Sequence, residues 1–164
     1  MKKLLLSTLA ISVLSASAVN AETSNQEFAA INKIASLCQS FKSSGIKVGV
    51  VYSPSNAESV KDKDSIISFD SSAVGVDIAN VSSSDANLLI LAGGLSLDDQ
   101  SKVSSAVSGK QVITASTDLS CVESGKCMLG VDVGSVVKLL VDSNSYKNSG
   151  LKFDPAFEFM VKQI

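Results

Sequence analysis

The chain has no histidine, no tryptophan and no arginine among its 164 residues. Without histidine it cannot build a Ser-His-Asp or Cys-His catalytic group, and it lacks the common nitrogen ligand of zinc sites. Without arginine it lacks the guanidinium that clamps phosphate or carboxylate ligands through two hydrogen bonds. The sequence therefore predicts a protein that is not an enzyme and holds no cofactor or metal ion.

Positive charge is also scarce. All basic residues are lysines, and 14 lysines face 16 acidic residues, which gives a net charge of −2. Removal of Lys2 and Lys3, which lie in the segment described next, leaves a net charge of −4. The lysines form no stripe that could neutralise a run of phosphates, so nucleic acid is not an expected partner.

Residues 1–21 have the three parts of a secretory signal peptide. Two lysines precede an uncharged apolar run over residues 4–19, and small side chains at Val19 and Ala21 predict cleavage after Ala21. The run is shorter than the roughly 20 residues that a bilayer span requires, and no cysteine follows it for lipid attachment. We therefore expect export to the periplasm and a mature domain over residues 22–164 that does not span the membrane.

Apolar patterning predicts alternating helices and strands. The N-terminal half predicts a helix over 25–44, a strand over 46–52, a turn over 53–56, a helix over 57–63 and a short strand over 65–69. The segment 74–81 alternates loosely and fits either a strand or a loop. No internal repeat or linker interrupts this half, so it belongs to the same domain as the rest.

The C-terminal half predicts a strand over 87–92, a helix capped by Ser96, a strand over 111–115, hairpin strands over 127–133 and 136–142, a helical turn over 144–149, a brief strand over 151–153 and a last helix from Pro155. A strand, a crossover helix and a second strand form the unit of a parallel sheet. We therefore expect a three-layer, Rossmann-like α/β sandwich in a single domain. Its sheet would be mixed and mostly parallel, with an antiparallel hairpin at one side.

The three cysteines divide into a close pair and a single residue. Cys121 and Cys127 are six positions apart with Ser124-Gly125 between them, and an oxidising compartment favours a structural disulfide between such a pair. A redox-sensing bond and metal binding are the alternatives. Cys38 lies on the apolar side of the first predicted helix, where a free thiol behaves as a small apolar group. Its alternatives are a bridge to another molecule or exchange with the pair.

Small polar residues follow the predicted strands. Gly93-Gly94 ends one strand just before a helix, a place where α/β proteins hold phosphates. The loop has no third glycine at the required spacing and no lysine, so a tight turn is the favoured interpretation. A ligand at the carboxyl ends of the strands would lie near four hydroxyl side chains: Ser53, Ser55, Ser96 and Thr117. Four scattered carboxylates, Asp118, Glu123, Asp132 and Asp142, have no spacing that requires acid–base chemistry, and we expect most of them at the solvated surface.

Residues 87–164 resemble the YfiR-like periplasmic proteins. The similarity is carried by the strand entry at 109–114, the apolar strands at 128–131 and 138–141, the Ser-Gly-Leu-Lys step at 149–152 and the terminal helix at 157–161. Members are small exported α/β proteins, and the best-known one represses an inner-membrane diguanylate cyclase in a manner that depends on disulfide state. The resemblance implies a regulatory protein that docks on an inner-membrane or periplasmic partner. Asp142 stands where the family has asparagine.

A second resemblance covers the first predicted strand. The run 47–56, with Ser59-Val60, is similar to an opening found in one family of ABC-transporter substrate-binding proteins, and Gly150-Leu151 and Pro155 fit the end of those proteins. They have two lobes and about twice this length. The alternative function is therefore a single-lobe solute-binding protein of the periplasm.

Overall fold

The computed structural model describes residues 22–164, so the predicted signal peptide and its cleavage site lie outside the described residues. The described chain contains one sheet of seven strands. The strands are β1 (Val48–Tyr52), β2 (Val74–Asp77), β3 (Leu88–Leu91), β4 (Ile113–Ser116), β5 (Leu129–Val133), β6 (Val137–Val141) and β7 (Lys162–Gln163).

The strand order is β2-β1-β3-β4-β5-β6-β7. The strands from β2 to β5 are parallel neighbours, β6 pairs with β5 in antiparallel fashion, and β7 pairs with β6 in parallel. This arrangement confirms the predicted α/β sandwich with a mostly parallel sheet and one hairpin. The order 2-1-3-4-5 of the parallel part is one of the two common doubly wound orders, in which the chain reverses its direction of travel between β1 and β3.

Six α-helices cover the two faces of the sheet within the described residues. They are α1 (Asn25–Ser36), α2 (Ala57–Phe69), α3 (Leu97–Val107), α4 (Leu119–Glu123), α5 (Ser143–Ser149) and α6 (Pro155–Met160). No helix in residues 22–164 has both the length and the apolar character that a membrane span needs.

The two faces of the sheet contribute to separate cores. Along β3, Leu88 and Ile90 belong to the core shared with α1, α2 and α6, whereas Leu89 and Leu91 belong to the core shared with α3 and α4. Successive side chains of a strand point to opposite faces, so a parallel strand buried on both sides reads as a continuous apolar run. This is why the strand over 87–92 could be predicted from the sequence.

The predicted strand over 65–69 is wrong, because these residues form the second half of α2. The helix begins after Asn56, whose side chain accepts a hydrogen bond from the backbone of Ser59 at 3.1 Å. Its buried face consists of Ser59, Asp62 and Ile66, at the three- and four-residue spacing of a helix. Two of these three residues are polar, so the apolar periodicity that predicts a helix is missing.

The first helix is shorter than predicted and ends at Ser36. Cys38 forms an isolated antiparallel bridge with Phe153, and a 3-10 turn follows at Gln39–Phe41. The backbone of Gln39 donates to the carbonyl oxygen of Lys152 at 2.7 Å. Pairing with a segment more than 100 positions later thus replaces the last helical turns, and the brief strand predicted over 151–153 is reduced to this bridge.

The remaining differences are local. The uncertain segment 74–81 contains β2 and then a 3-10 helix, Ile78–Ser83. The hairpin is confirmed, with Val133 and Val137 as the last pair before its loop. The last helix begins at Pro155 as predicted but ends at Met160, and the chain continues into β7 at the sheet edge.

Candidate functional site

The carboxyl ends of β1, β3 and β4 meet at one edge of the sheet, which we call the carboxyl edge. In doubly wound sheets a crevice for ligands opens at this edge where the strand order reverses, here between β1 and β3. The loops after these two strands are Ser53–Asn56 and Gly93–Ser96.

The crevice between β1 and β3 is closed by hydrogen bonds. The side-chain amide of Asn56 donates to the carbonyl oxygen of Gly94 at 2.8 Å, which joins the two loops directly. Gly94 has a φ of +77°, and a Cβ atom at this position would lie 3.1 Å from the side chain of Glu58. Gly93-Gly94 therefore forms a tight turn packed against α2.

Asp62 of α2 is the buried polar centre of this closed part. Its side chain is fully buried, and its carboxyl oxygens accept hydrogen bonds from the backbone of Thr23 at 2.7 Å, the hydroxyl of Thr23 at 3.1 Å and the backbone of Gly93 at 2.7 Å. A buried carboxyl group must be fully hydrogen-bonded to be tolerated. Asp62 thus fixes the residues that precede α1 to the end of β3.

Thr23 extends the network to the next strand. The Thr23 hydroxyl lies 3.3 Å from the hydroxyl of Thr117, and Thr23 is 1% exposed. The segment before α1 therefore covers the crevice between β1 and β3, where doubly wound folds hold ligands. Sequence reasoning missed Thr23 and Asp62, because 39 positions separate them and no local pattern marks their contact.

Three of the four predicted edge hydroxyls are used within their own loops. The hydroxyls of Ser53 and Ser55 lie 3.0 Å apart. The backbone N–H of Ser53 donates to the hydroxyl of Ser59 at 3.0 Å. The Ser96 hydroxyl accepts from the backbone of Asp99 at 3.2 Å, as the predicted cap of α3. Of the four, Thr117 lines the open cleft described next.

An open cleft of about 240 Å³ lies next to the closed crevice, at the ends of β3, β4 and β5. We call it the carboxyl-edge cleft. Its polar lining residues are Glu27, Gln100, Ser116, Thr117, Asp118 and Asp132. Ala92, Leu95 and Leu119 supply apolar wall. The elements that meet here are the starts of α1, α3 and α4 and the end of β5.

Gln100 is the most deeply buried of the polar lining residues that come from a helix, with 4% of its surface exposed. Its side-chain nitrogen donates to the carbonyl oxygen of Leu95 at 3.1 Å, but its Oε1 atom has no hydrogen-bond partner among residues 22–164. A buried carbonyl oxygen without a partner costs about 1–3 kcal/mol. One sequence signal could have found it: Gln100 shares the inner face of α3 with Val103 and Val107 and is polar at a core position.

Three carboxylates line the cleft, from Glu27, Asp118 and Asp132. One oxygen of Glu27 accepts from the backbone and hydroxyl of Ser24, one oxygen of Asp118 accepts from the backbone of Ser120, and one oxygen of Asp132 lies 3.5 Å from the Lys138 ammonium. The second oxygen of each is not used in these contacts.

The cleft carries negative charge but no metal cluster. None of the lining residues in the described chain is a lysine, and no group of three or more acidic or cysteine side chains in residues 22–164 is arranged to hold a metal ion. Asp118 and Asp132 were expected only as solvated surface residues, and the structure shows that both also line this cleft. Asp142 caps α5 instead, accepting from the backbone of Ser145 at 2.7 Å.

Cys121 and Cys127 lie side by side in the core between the sheet and α3 and α4. The structure holds both as buried free thiols, and the backbone of Cys127 donates to the carbonyl oxygen of Cys121 at 3.2 Å. Burial raises the pKa of the Cys127 thiol well above its usual range, and the neighbouring Cys121 thiol raises this pKa further. The predicted disulfide between them stays a prediction.

Cys38 belongs to the core on the other face of the sheet. Burial raises the pKa of its thiol, against hydrogen bonds from Ser40 that lower this pKa. The sheet separates Cys38 from the Cys121–Cys127 pair, so this fold does not bring the three thiols together. Its buried position fits the prediction of a small apolar group.

Comparisons with known proteins show the fold alone. No protein-family model and no curated protein sequence matches the chain. Among the solved structures, one from Streptococcus pneumonia described as an ABC domain in complex with L-Trp is similar, with a TM-score of 0.56 and 11% sequence identity over 85% of this chain. The match covers 60% of that protein's length. The chain thus shares its α/β architecture with part of that protein.

Proposed function

We propose that the mature chain is a non-enzymatic binding protein that holds a small polar ligand in the carboxyl-edge cleft. The observation that carries this proposal is the Gln100 side chain, which lines the cleft and whose buried Oε1 atom has no hydrogen-bond partner among the described residues. A ligand donor in the cleft would satisfy it and offset the cost of its burial. This is the single-lobe form of a solute-binding function.

The chemistry of the described residues supports binding over catalysis. When Cys127 is reduced, burial raises the pKa of its thiol, which stays protonated and is a poor nucleophile; when it is joined to Cys121, it has no thiol to react. Asp62, the fully buried carboxyl group, is enclosed by three donors and does not face the open cleft. The side chains that do face it are hydrogen-bond acceptors and hydroxyl groups.

A ligand screen tests the proposal. Residues 22–164 are mixed with short amines, amino acids, small organic anions and short sugars, and the melting temperature is measured. A ligand present at roughly 100 times its Kd stabilises the fold by about 2.7 kcal/mol, which raises Tm by roughly 8 °C for a domain of this size. We expect at least one class to bind and Gln100→Leu to weaken that binding. If no class shifts Tm, the proposal is wrong.

We further propose that the protein acts in the periplasm with Cys121 and Cys127 joined. The support is the predicted signal at 1–21 and the adjacency of the two buried thiols. The native protein should begin at Glu22 by mass spectrometry, and only Cys38 should react with an alkylating reagent after unfolding without reductant. A native protein that begins at Met1, or three reactive thiols, would contradict this.

A second candidate function is docking on an exported or inner-membrane signalling protein, as the YfiR-like resemblance implies, with a diguanylate cyclase as the example. The observation that favours it is a set of exposed apolar side chains near the hairpin tip and chain end: Val136, Val137, Phe159, Met160 and Ile164. Exposed apolar groups that cluster on a small protein mark interaction surfaces.

Membrane pull-down separates this candidate from the first. Immobilised protein should retain a cyclase-type membrane partner, and Phe159→Asp should abolish retention, because Phe159 is 91% exposed. The matched control is Val74→Asp, which changes an exposed apolar residue on the opposite edge strand β2. Equal retention by wild type and Phe159→Asp would reject docking through this surface.

A further inference from the structure

We propose that the ligand of the carboxyl-edge cleft is a short organic ammonium compound, a primary alkyl amine or diamine. This inference rests on the proposed binding function and names its ligand class. It follows from the charges around the cleft, from the capped helix starts and from the dispersal of the acidic side chains.

The charges favour a cation. Glu27, Asp118 and Asp132 approach the cleft from α1, the start of α4 and β5, and no lysine lines it within the described residues. In a chain without arginine or histidine, lysine is the one side chain that could offer positive charge. Lys138 lies 3.5 Å from Asp132 and offsets part of its charge, but Glu27 and Asp118 have no lysine partner among the described residues, so the binding of an anionic ligand would be opposed.

The helix starts do not reverse this preference. Backbone N–H groups at the start of a helix can bind anions, but here side chains already use one such donor at each of the three helices. The Ser24 hydroxyl accepts from Glu27, the Ser96 hydroxyl from Asp99 and the Asp118 carboxylate from Ser120. Each of these three helix starts therefore has one N–H donor fewer to offer an anion.

The cation is organic rather than metallic. The acidic side chains of the described chain are too dispersed to coordinate one metal ion. The cleft volume of about 240 Å³ greatly exceeds the share of one water molecule, about 30 Å³ in the liquid. An ammonium group has three N–H donors, which suit Gln100 Oε1 and free carboxylate oxygens, and an alkyl chain suits the apolar walls at Leu95 and Leu119.

The test uses isothermal titration of residues 22–164 with four probes of similar size: 1,4-diaminobutane, butylamine, butyrate and butanol, with calcium chloride as a metal probe. We expect the amines to bind, the diamine more tightly, and butyrate, butanol and calcium not to bind. Binding of the diamine should weaken as sodium chloride increases, because part of it is charge attraction.

Variants locate the binding. Gln100→Leu removes the buried acceptor and Asp118→Asn removes one charge while keeping a side chain that caps a helix, so each should weaken diamine binding about tenfold. The matched control is Asp154→Asn, which changes the same residue type at the cap of α6, outside the cleft lining, and should leave affinity unchanged. Circular dichroism and Tm of each unliganded variant show that it is folded.

The outcomes separate the two proposals. If butyrate or butanol binds, the amines do not, and Gln100→Leu removes that binding, the ligand class is wrong while the binding function holds. If amines bind but Gln100→Leu and Asp118→Asn bind the diamine as tightly as wild type and the control, the cleft assignment is wrong. If no probe binds here and none of the wider screen raises Tm, both proposals fall.

Discussion

The two ends of the sheet are held together by different means. At the parallel end, a buried carboxyl group joins three segments through hydrogen bonds, with Asp62 bonded to Thr23 and Gly93. At the antiparallel end, aromatic packing does the same work: the rings of Phe153 and Phe157 stack with centroids 4.0 Å apart, and Tyr146 packs against both. The comparison teaches that buried hydrogen bonds close the crevice beside the proposed ligand site, whereas packed aromatic rings hold the end of the sheet that carries the proposed docking surface.

The largest expected effect is at the aromatic cluster. Phe157 is 1% exposed, so Phe157→Ala should lower the free energy of unfolding by about 3–5 kcal/mol through lost burial and a cavity. Phe159, two positions later, is 91% exposed, and Phe159→Ala should change stability by less than about 0.5 kcal/mol. Urea denaturation measures both, and similar losses would show that the end of the chain packs differently.

The next effect is at the polar network. Asp62→Ala leaves the backbone donors of Thr23 and Gly93 buried without an acceptor, and we expect a loss of about 3 kcal/mol. Asp64→Ala, on the exposed side of the same helix, is the matched control and should cost less than about 0.5 kcal/mol. A loss below about 1 kcal/mol for Asp62→Ala would mean that the network does not hold the parallel end together.

A smaller effect isolates the segment before α1. Thr23→Val keeps the backbone bond to Asp62 but removes the hydroxyl that contacts Asp62 and Thr117, so stability should fall by about 1–2 kcal/mol. Thr23→Ser keeps the hydroxyl and should retain most of the stability. If both variants unfold at the same urea concentration as wild type, the hydroxyl contacts contribute nothing.

The smallest effect is a pH dependence of the reduced protein. Because burial raises the pKa of Cys127 in the folded state, the unfolded thiol ionises first, and its contribution to stability is complete below the unfolded pKa of about 8.5 and is lost as pH rises. By pH 9 we expect a loss of about 0.5–1 kcal/mol relative to pH 7.

Urea denaturation of wild type and Cys127→Ala in the presence of reductant measures this dependence. The variant should be less stable at every pH but should lose less stability between pH 7 and pH 9. Protein in which Cys121 and Cys127 are joined should also lose less, since neither thiol can ionise. Parallel curves for wild type and variant would assign the pH dependence to other groups.

Much of the fold could be predicted because its central strands are buried on both faces. Strands could be recognised without any tertiary information from the apolar runs over 46–52 and 87–92 and from the pattern of the hairpin. Helices were harder. In α2 the buried face is partly polar, and α4 has only five residues, so neither has the apolar period from which a helix is recognised.

The site was less predictable than the fold. Thr117 was expected at the carboxyl edge, and it does line the cleft, but Ser53, Ser55 and Ser96 satisfy one another or cap a helix instead. Glu27 and Gln100 are 73 positions apart and were not expected to share a site. Such a site is formed by the starts of helices that are distant in sequence.

The sequence by itself determined that residues 22–164 contain a mostly parallel α/β sheet with one hairpin, because each strand's environment is written in its own apolar pattern. Only the tertiary structure decided which loops meet at the carboxyl edge and which crevice stays open. That choice depends on the strand order and on the contact between Thr23 and Asp62, and no local periodicity records either of them.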